Sequence, residues 1–351
     1  MKPFNDKTAL TYDDIQLVPA YSDIESRQSI DLTTQLTKRY KIKIPLIASP
    51  MDTVCDAEMA IAMAKLGGVG CLHRFMSVTE QLTEALHIVD KVKTSDMYSL
   101  WDHAEIPIMA AVGANGDYLE RAQSLVKVGV NVILIDVAHG HHMFVKKAIE
   151  ELKTHLPSHV DVIAGNIATA KAAQDLTNWG ADAIRVGIGG GSLCTTRIKT
   201  GFGVPNVTSL QECFENSSVP IIACGGIRNS GDIAKALAVG ADSVILGSLL
   251  AGTKEAPGAI LEKSNGLYKR YRGAASLETK SIHKQSTRNV EGESTVVPFK
   301  GSVKFIVEGL LDGLKSALSY AGANNLTEFN PDYVVVSQAG INEARPHLLF
   351  L

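Results

Sequence analysis

Eight short apolar runs, at residues 44–49, 68–72, 106–112, 132–136, 160–165, 183–187, 219–224 and 243–247, punctuate the first two thirds of this chain. Between them lie stretches with apolar residues at helical spacing, among them 57–66, 118–128, 144–155, 170–179 and 231–239. The short runs are nearly continuous Val, Ile and Ala. That is how strands buried on both faces read, and it predicts a parallel sheet covered by helices. Eight strand–helix units count out a (β/α)8 barrel, so the predicted class is α/β, a single TIM barrel. A doubly wound open sheet is the alternative, because alternation alone does not show closure. Composition fits: 45% hydrophobic residues with only 6% aromatics describe a core of Ala, Val, Ile and Leu.

Charge and cysteines narrow the function classes. A net charge of −3 leaves no basic footprint for nucleic acid or an anionic membrane. The five cysteines, 55, 71, 194, 213 and 224, form no CxxC pair and no metal-ligand spacing. Free thiols fit a reducing compartment. The N-terminus lacks a signal-peptide core, and no apolar run approaches the length of a membrane span. A cytoplasmic setting is expected, with no nucleic-acid or membrane partner.

Chemistry on such a barrel belongs at the C-terminal ends of its strands. The most distinctive end is Gly187-Ile188-Gly189-Gly190-Gly191-Ser192-Leu193-Cys194-Thr195-Thr196-Arg197. Successive backbone N–H groups in a glycine loop, with the Ser192 hydroxyl, form a concavity suited to phosphate. Hydroxyl donors and a guanidinium around Cys194 suit a reactive sulfur. The other ends carry Ser49-Pro50-Met51-Asp52, His73-Arg74, Asp136-Val137-Ala138-His139, Gly165-Asn166, Cys224-Gly225-Gly226 and Gly247-Ser248. Two of the last three ends are glycine-bearing, where such barrels commonly hold a phosphate. A phosphorylated substrate is the expectation. His139, His141 and His142 have no carboxylate spacing to support metal catalysis.

After the eighth run the pattern changes. Residues 274–290 are polar with little apolar periodicity, and helical spacing resumes only at 303–320. Long stretches without their own core are commonly active-site lids, so 274–301 is predicted to cover the barrel mouth.

Several of these motifs together resemble the IMP dehydrogenase/GMP reductase family. They are Thr11-Tyr12-Asp13-Asp14, Ser49-Pro50-Met51-Asp52-Thr53-Val54, the cysteine loop, Gly225-Gly226-Ile227, Ala256-Pro257-Gly258 and Tyr271-Arg272-Gly273. The resemblance covers nearly the whole chain. It implies a homotetrameric barrel in which Cys194 attacks C2 of a purine nucleoside monophosphate and a nicotinamide exchanges hydride there. C2 is an amidine-like electrophile, to which a polarisable sulfur adds and from which it leaves. Only residues 93–105 lie between the second helix and the third strand, so the regulatory domain that family dehydrogenases usually insert there is not expected.

The lid separates the branches. It lacks the adjacent Arg-Tyr pair of the dehydrogenase flap. Arg288 stands three residues before Glu291-Gly292, and Val297-Pro298-Phe299-Lys300-Gly301 matches the reductase lid end. The reading is therefore a GMP reductase: NADPH converts GMP to IMP and ammonia. IMP dehydrogenase with NAD, supported by His139, Ser49-Pro50 and Ala339-Gly340-Ile341, is the alternative. A nucleotide-binding protein without turnover is a third possibility.

On that resemblance Cys194, Thr196 and Glu291 are catalytic, the last two delivering a proton to the leaving nitrogen. Ser192, Cys224, Gly225, Gly226, Gly247, Ser248, Tyr271, Gly273, Ala274, Ala275, Arg288 and Gly292 would hold the nucleotide. Arg74, Asp136, Ala138, Ala274, Arg288, Ser316 and Tyr320 would hold NADPH, Tyr320 that of a neighbouring copy. Asn166 either orients the base or bridges loops. The carbonyls of Gly189, Gly191 and Cys194 match a potassium site completed by Glu343 and nearby residues of a neighbour's tail. Three departures stand out: Cys224 replaces a ribose-reading aspartate, Ala274-Ala275 replaces Met-Ser or Met-Gly, and Gly190 replaces a proline.

Overall fold

The computed structural model describes residues 8–282 and 290–343. Its centre is a closed barrel of eight parallel strands. They are β1 (Leu46–Ala48), β2 (Val69–Leu72), β3 (Met109–Val112), β4 (Val132–Asp136), β5 (Asp161–Ile167), β6 (Ala183–Val186), β7 (Ile221–Cys224) and β8 (Ser243–Leu246). Closure comes from β8 pairing with β1, Val244 opposite Leu46 and Leu246 opposite Ala48. The open-sheet alternative is thereby excluded. Six of the eight strands are shorter than the apolar runs that mark them, β4 and β5 being the exceptions. Ile106 and Ile108, for instance, are buried ahead of β3 rather than paired in it.

The helices α1 (Ala57–Lys65), α2 (Val78–Val92), α3 (Tyr118–Lys127), α4 (Met143–His155), α5 (Ala170–Asn178), α6 (Asn206–Phe214), α7 (Ser230–Ala238) and α8 (Val303–Ala321) form the outer layer. Their starts follow from local chemistry. Asp56 accepts from the Glu58 and Met59 amides ahead of α1, and Ser77 and Glu80 form a reciprocal capping box ahead of α2. Thr169, Asn229 and Ser302 cap α5, α7 and α8 in the same way. No helix among the described residues is long and apolar enough to cross a membrane.

The N-terminal end of the barrel is closed by a hairpin pairing Thr34–Gln35 with Lys41–Ile42. From its tip Thr37 donates to Asp161 at the foot of β5 (2.6 Å), and the Lys38 amide donates to the Asp182 carbonyl (3.0 Å). Ile15–Leu17 pairs antiparallel with Tyr333–Val335, tying the two ends of the chain together.

The stretch 274–301 departs from expectation, for it carries a short helix and a strand that pairs with the strand before it. Strands β9 (Leu261–Lys263), β10 (Gly266–Arg272) and β11 (Ser294–Pro298) form an antiparallel sheet, and a short helix, Leu277–Ile282, lies between the last two. The turn between β9 and β10 carries Asn265-Gly266, a dipeptide that marks turns and that explains the hairpin. Arg288 lies outside the described residues.

Candidate active site

The C-terminal ends of the strands surround a cavity of about 410 Å3. Cys194, Thr196 and Glu291 line it, as do Ser192, Cys224, Gly225, Gly226, Gly247, Ser248, Tyr271, Gly273, Ala274, Ala275 and Gly292. Arg74, Asp136, Ala138 and Asn166 face it from the other side. Residues separated by more than two hundred positions thus meet at one mouth.

Local backbone makes this convergence possible. Gly225 adopts φ +91°, and a Cβ there would come within 2.9 Å of the Gly190 carbonyl carbon. A Cβ on Gly187, at φ +136°, would fall 1.9 Å from the Cys224 carbonyl oxygen. Only glycine permits β7 and the cysteine loop to approach this closely. Asn206 at the start of α6 donates to the Gly225 carbonyl (2.5 Å), and Asn166 donates to the Gly187 carbonyl (2.6 Å). Asn166 therefore bridges loops in this structure.

Cys194 precedes the short helix Thr196–Thr200. Its thiol donates to the Thr196 hydroxyl (3.2 Å), which in turn donates to Glu291 Oε2 (2.7 Å). Three groups from two distant segments make one proton path. Glu291 is held there by backbone: its carbonyl accepts from the Thr195 amide (3.0 Å), and its amide donates to the Ala275 carbonyl (3.1 Å). The Glu293 amide adds a bond to the Leu193 carbonyl (3.0 Å). Residues 291–293 are thus stitched to the cysteine loop on one side and to residue 275 on the other.

At the glycine ends, the Ser192 hydroxyl and the Tyr271 phenol lie 3.1 Å apart, and a Cβ on Gly247 would meet that phenol at 3.1 Å. Burial pushes the Tyr271 phenol up, so it stays a donor at neutral pH. Two hydroxyls and the glycine backbones form a neutral cradle suited to an anion.

Arg185 is the site residue that the sequence reading missed. It points from β6 into the cavity, 7% exposed, and donates to Asp136 Oδ1 (2.5 Å). Burial works against its charge, but the neighbouring Cys224 sulfur and the Asp136 carboxylate more than offset it and keep the guanidinium charged. Its Nε is buried without a hydrogen-bond partner among the described residues. The signal was available: a single arginine inside the apolar run Ala183–Val186 has no place in a barrel interior unless a site uses it. Arg74 also donates from Nε to the Asp136 carbonyl (3.2 Å). One carboxylate between two guanidiniums leaves this wall positive.

Two expected cofactor contacts lie outside the cavity. Ser316 and Tyr320 sit on α8, outside the cavity, where Arg27 donates to the Ser316 hydroxyl (3.0 Å) and stacks 5.9 Å from the Tyr320 ring centre. Tyr320 is 64% exposed and available to another molecule. Of the potassium carbonyls, Gly189 accepts from Arg197 Nε (2.9 Å) and Gly191 accepts from the Cys194 amide (3.1 Å). Among the histidines, His141 pairs with Asp175 (2.9 Å) and His142 caps α4.

A closed barrel with a cysteine on a glycine loop, a hydroxyl–carboxylate pair hydrogen-bonded to it and two hydroxyls beside it is the mouth of a barrel enzyme built for sulfur chemistry. Comparison with known proteins agrees. The family model described as IMP dehydrogenase / GMP reductase domain matches residues 9–347. An "Inosine-5'-monophosphate dehydrogenase" of Cryptosporidium parvum is 39% identical, over 96% of this chain and 94% of its own. One of the same name from Nitrosopumilus maritimus is 34% identical over 98% and 99%. A "GMP reductase" of Leishmania major is 32% identical over 96% of each chain. The chain belongs to the IMP dehydrogenase/GMP reductase family, whose members are oxidoreductases of purine nucleotides that use nicotinamide cofactors.

Proposed function

We propose that this chain is a GMP reductase, converting GMP, NADPH and a proton to IMP, ammonia and NADP+. The observation that carries the reading is the hydrogen-bonded path from Cys194 through Thr196 to Glu291. A dehydrogenase must activate water at the adduct. A reductase must instead give a proton to a departing amine, and this path ends in a carboxylate suited to that task.

The steps balance on these residues. Thr196 passes the Cys194 thiol proton to Glu291 as the sulfur bonds to C2. Glu291 returns a proton through Thr196 to the 2-amino nitrogen, and the C2–N bond breaks to release ammonia. NADPH, when bound, supplies the hydride to C2. The C2–S bond then breaks, Cys194 leaves as a thiolate that takes a proton from solvent to restore the thiol, and IMP is free. Ser192, Tyr271 and the glycine ends of β7 and β8 hold the nucleotide phosphate. Arg74, Asp136 and Ala138 fit a nicotinamide on the positive wall, where the unpartnered Arg185 Nε offers a donor to a carboxamide oxygen.

A homotetramer belongs to the same proposal. The exposed Arg27, Ser316 and Tyr320 cluster would meet the outer part of NADPH bound to a neighbouring copy. So does a potassium ion ordering the cysteine loop at the Gly189, Gly191 and Cys194 carbonyls, with Arg197 competing for the first.

IMP dehydrogenase is the second reading, favoured by the dehydrogenase name that most of the similar proteins carry. Steady-state assays of GMP with NADPH and of IMP with NAD decide the matter. Turnover in the first and not the second is expected; the reverse result overturns the proposal.

A further inference from the structure

Arg272 closes β10, immediately before the turn that reaches Glu291. Its amide donates to the Thr53 hydroxyl (3.0 Å), and its guanidinium donates to Asp52 Oδ2 (2.9 Å) and Glu278 Oε1 (3.2 Å). Asp52 and Thr53 belong to the segment after β1 whose earlier residues, Ser49 to Met51, line the cavity floor. Glu278 belongs to the short helix of the lid, and it also accepts from Arg270 (3.2 Å) and from the Ser294 hydroxyl. Ser294 lies opposite Arg272 across the β10–β11 ladder. One guanidinium on β10 therefore joins the segment after β1 to the short helix of the lid, whose Glu278 also takes a bond from β11.

The clamp lies next to the segment that carries Glu291. The Gly273 amide donates to the Glu293 carbonyl (2.9 Å), and the Ser276 amide closes the turn on the Gly273 carbonyl (2.9 Å). Thr279 also donates to the Gly273 carbonyl (3.1 Å). A carboxylate must sit within hydrogen-bond reach of the proton it moves, and small displacements are costly. The Asp52 and Arg272 side chains are 5% and 15% exposed, so solvent screens this pair less than a surface one.

We infer that Arg272, held between Asp52 and Glu278, is a positioning residue that sets Glu291 against Thr196. The inference rests on the proposed role of Glu291 in moving the proton.

Glu278→Ala removes the lid end of the clamp without touching the cavity. With GMP and NADPH, kcat should fall about ten- to a hundredfold, the range of a misplaced catalytic group. KM for GMP should stay within about threefold, since the phosphate cradle is separate. Glu278→Gln, which keeps an acceptor oxygen, should restore part of the loss. In the Glu291→Gln background, Glu278→Ala should change kcat less than about twofold, because the group it positions is already disabled.

Loss that multiplies fully with that of Glu291→Gln, loss expressed in KM, or unchanged kcat for Glu278→Ala would each overturn the inference. Should Glu291→Gln alone leave turnover intact, the proposed role of Glu291 fails and takes the inference with it; that single variant tells the two failures apart. If Glu278→Ala does not fold, Ser294→Ala removes one donor at an exposed position. It carries the same test, with a few-fold loss of kcat expected in the parent and none in the Glu291→Gln background.

Discussion

The Thr196 hydroxyl donates to Glu291, 95 residues further along the chain, at 2.7 Å, while accepting from the Cys194 thiol at 3.2 Å. A hydroxyl placed between a sulfur and a carboxylate is a relay, because it gives one proton as it takes another. Thr196→Val keeps the shape and breaks the relay. Its kcat with GMP should fall about 100- to 10,000-fold, the usual span for losing acid–base help. Nucleotide affinity, measured by calorimetry, should change little.

Cys194→Ala should abolish turnover while GMP still binds. The proposed phosphate cradle, the Ser192 and Tyr271 hydroxyls beside Gly247, does not involve the sulfur. Residual activity above about a hundredth of the parent rate would rule out the covalent route.

Cys224 gives a specificity test. It lines the cavity beside Arg185, where the family resemblance places a ribose-reading carboxylate. A carboxylate accepting from hydroxyls is worth about 1.5–3 kcal/mol more than no acceptor, and a thiol accepts poorly. The ratio of kcat/KM for GMP over dGMP should therefore be small in the parent. Cys224→Asp should raise GMP efficiency selectively. A parent preference for GMP beyond about a hundredfold would show that another group reads the hydroxyl.

Asp136 is predicted to matter for stability as well as chemistry. Its carboxylate partners the Arg185 guanidinium, the two side chains 12% and 8% exposed. Asp136→Ala leaves that guanidinium buried and unpaired. Urea unfolding should show a loss of about 3–5 kcal/mol. The double variant Asp136→Ala, Arg185→Met should recover much of it, since replacing both members of a buried pair costs far less than removing one.

The barrel was legible in the sequence because buried parallel strands leave a plain mark. The run 132–136 coincides with β4 residue for residue, and 183–187 overshoots β6 by one position. Glycines and the cysteine at strand ends located the cavity, since backbone that must approach a ligand needs them. Arg185 went unread because periodicity treats a strand as apolar or not and passes over its exception. The lid sheet was missed for another reason. Its strands are mostly exposed or half-buried, with only Lys269 and Tyr271 buried, so hydrophobic periodicity is faint, and only Asn265-Gly266 marks the turn. The path from Cys194 to Glu291 has no local signal at all. Spacing along the chain cannot show which loops the barrel brings together.

The nucleophile stands on the barrel, and its proton partner arrives on residues 291–293, fastened mostly by main-chain bonds to residues 193, 195 and 275. Bonds of that kind ignore side-chain identity. A different strap with the same backbone path could dock there and bring another group to the same sulfur. The chemistry of this scaffold is therefore divided into a fixed half and an exchangeable half, and descendants could trade one reaction for another by rewriting a loop while leaving the barrel untouched.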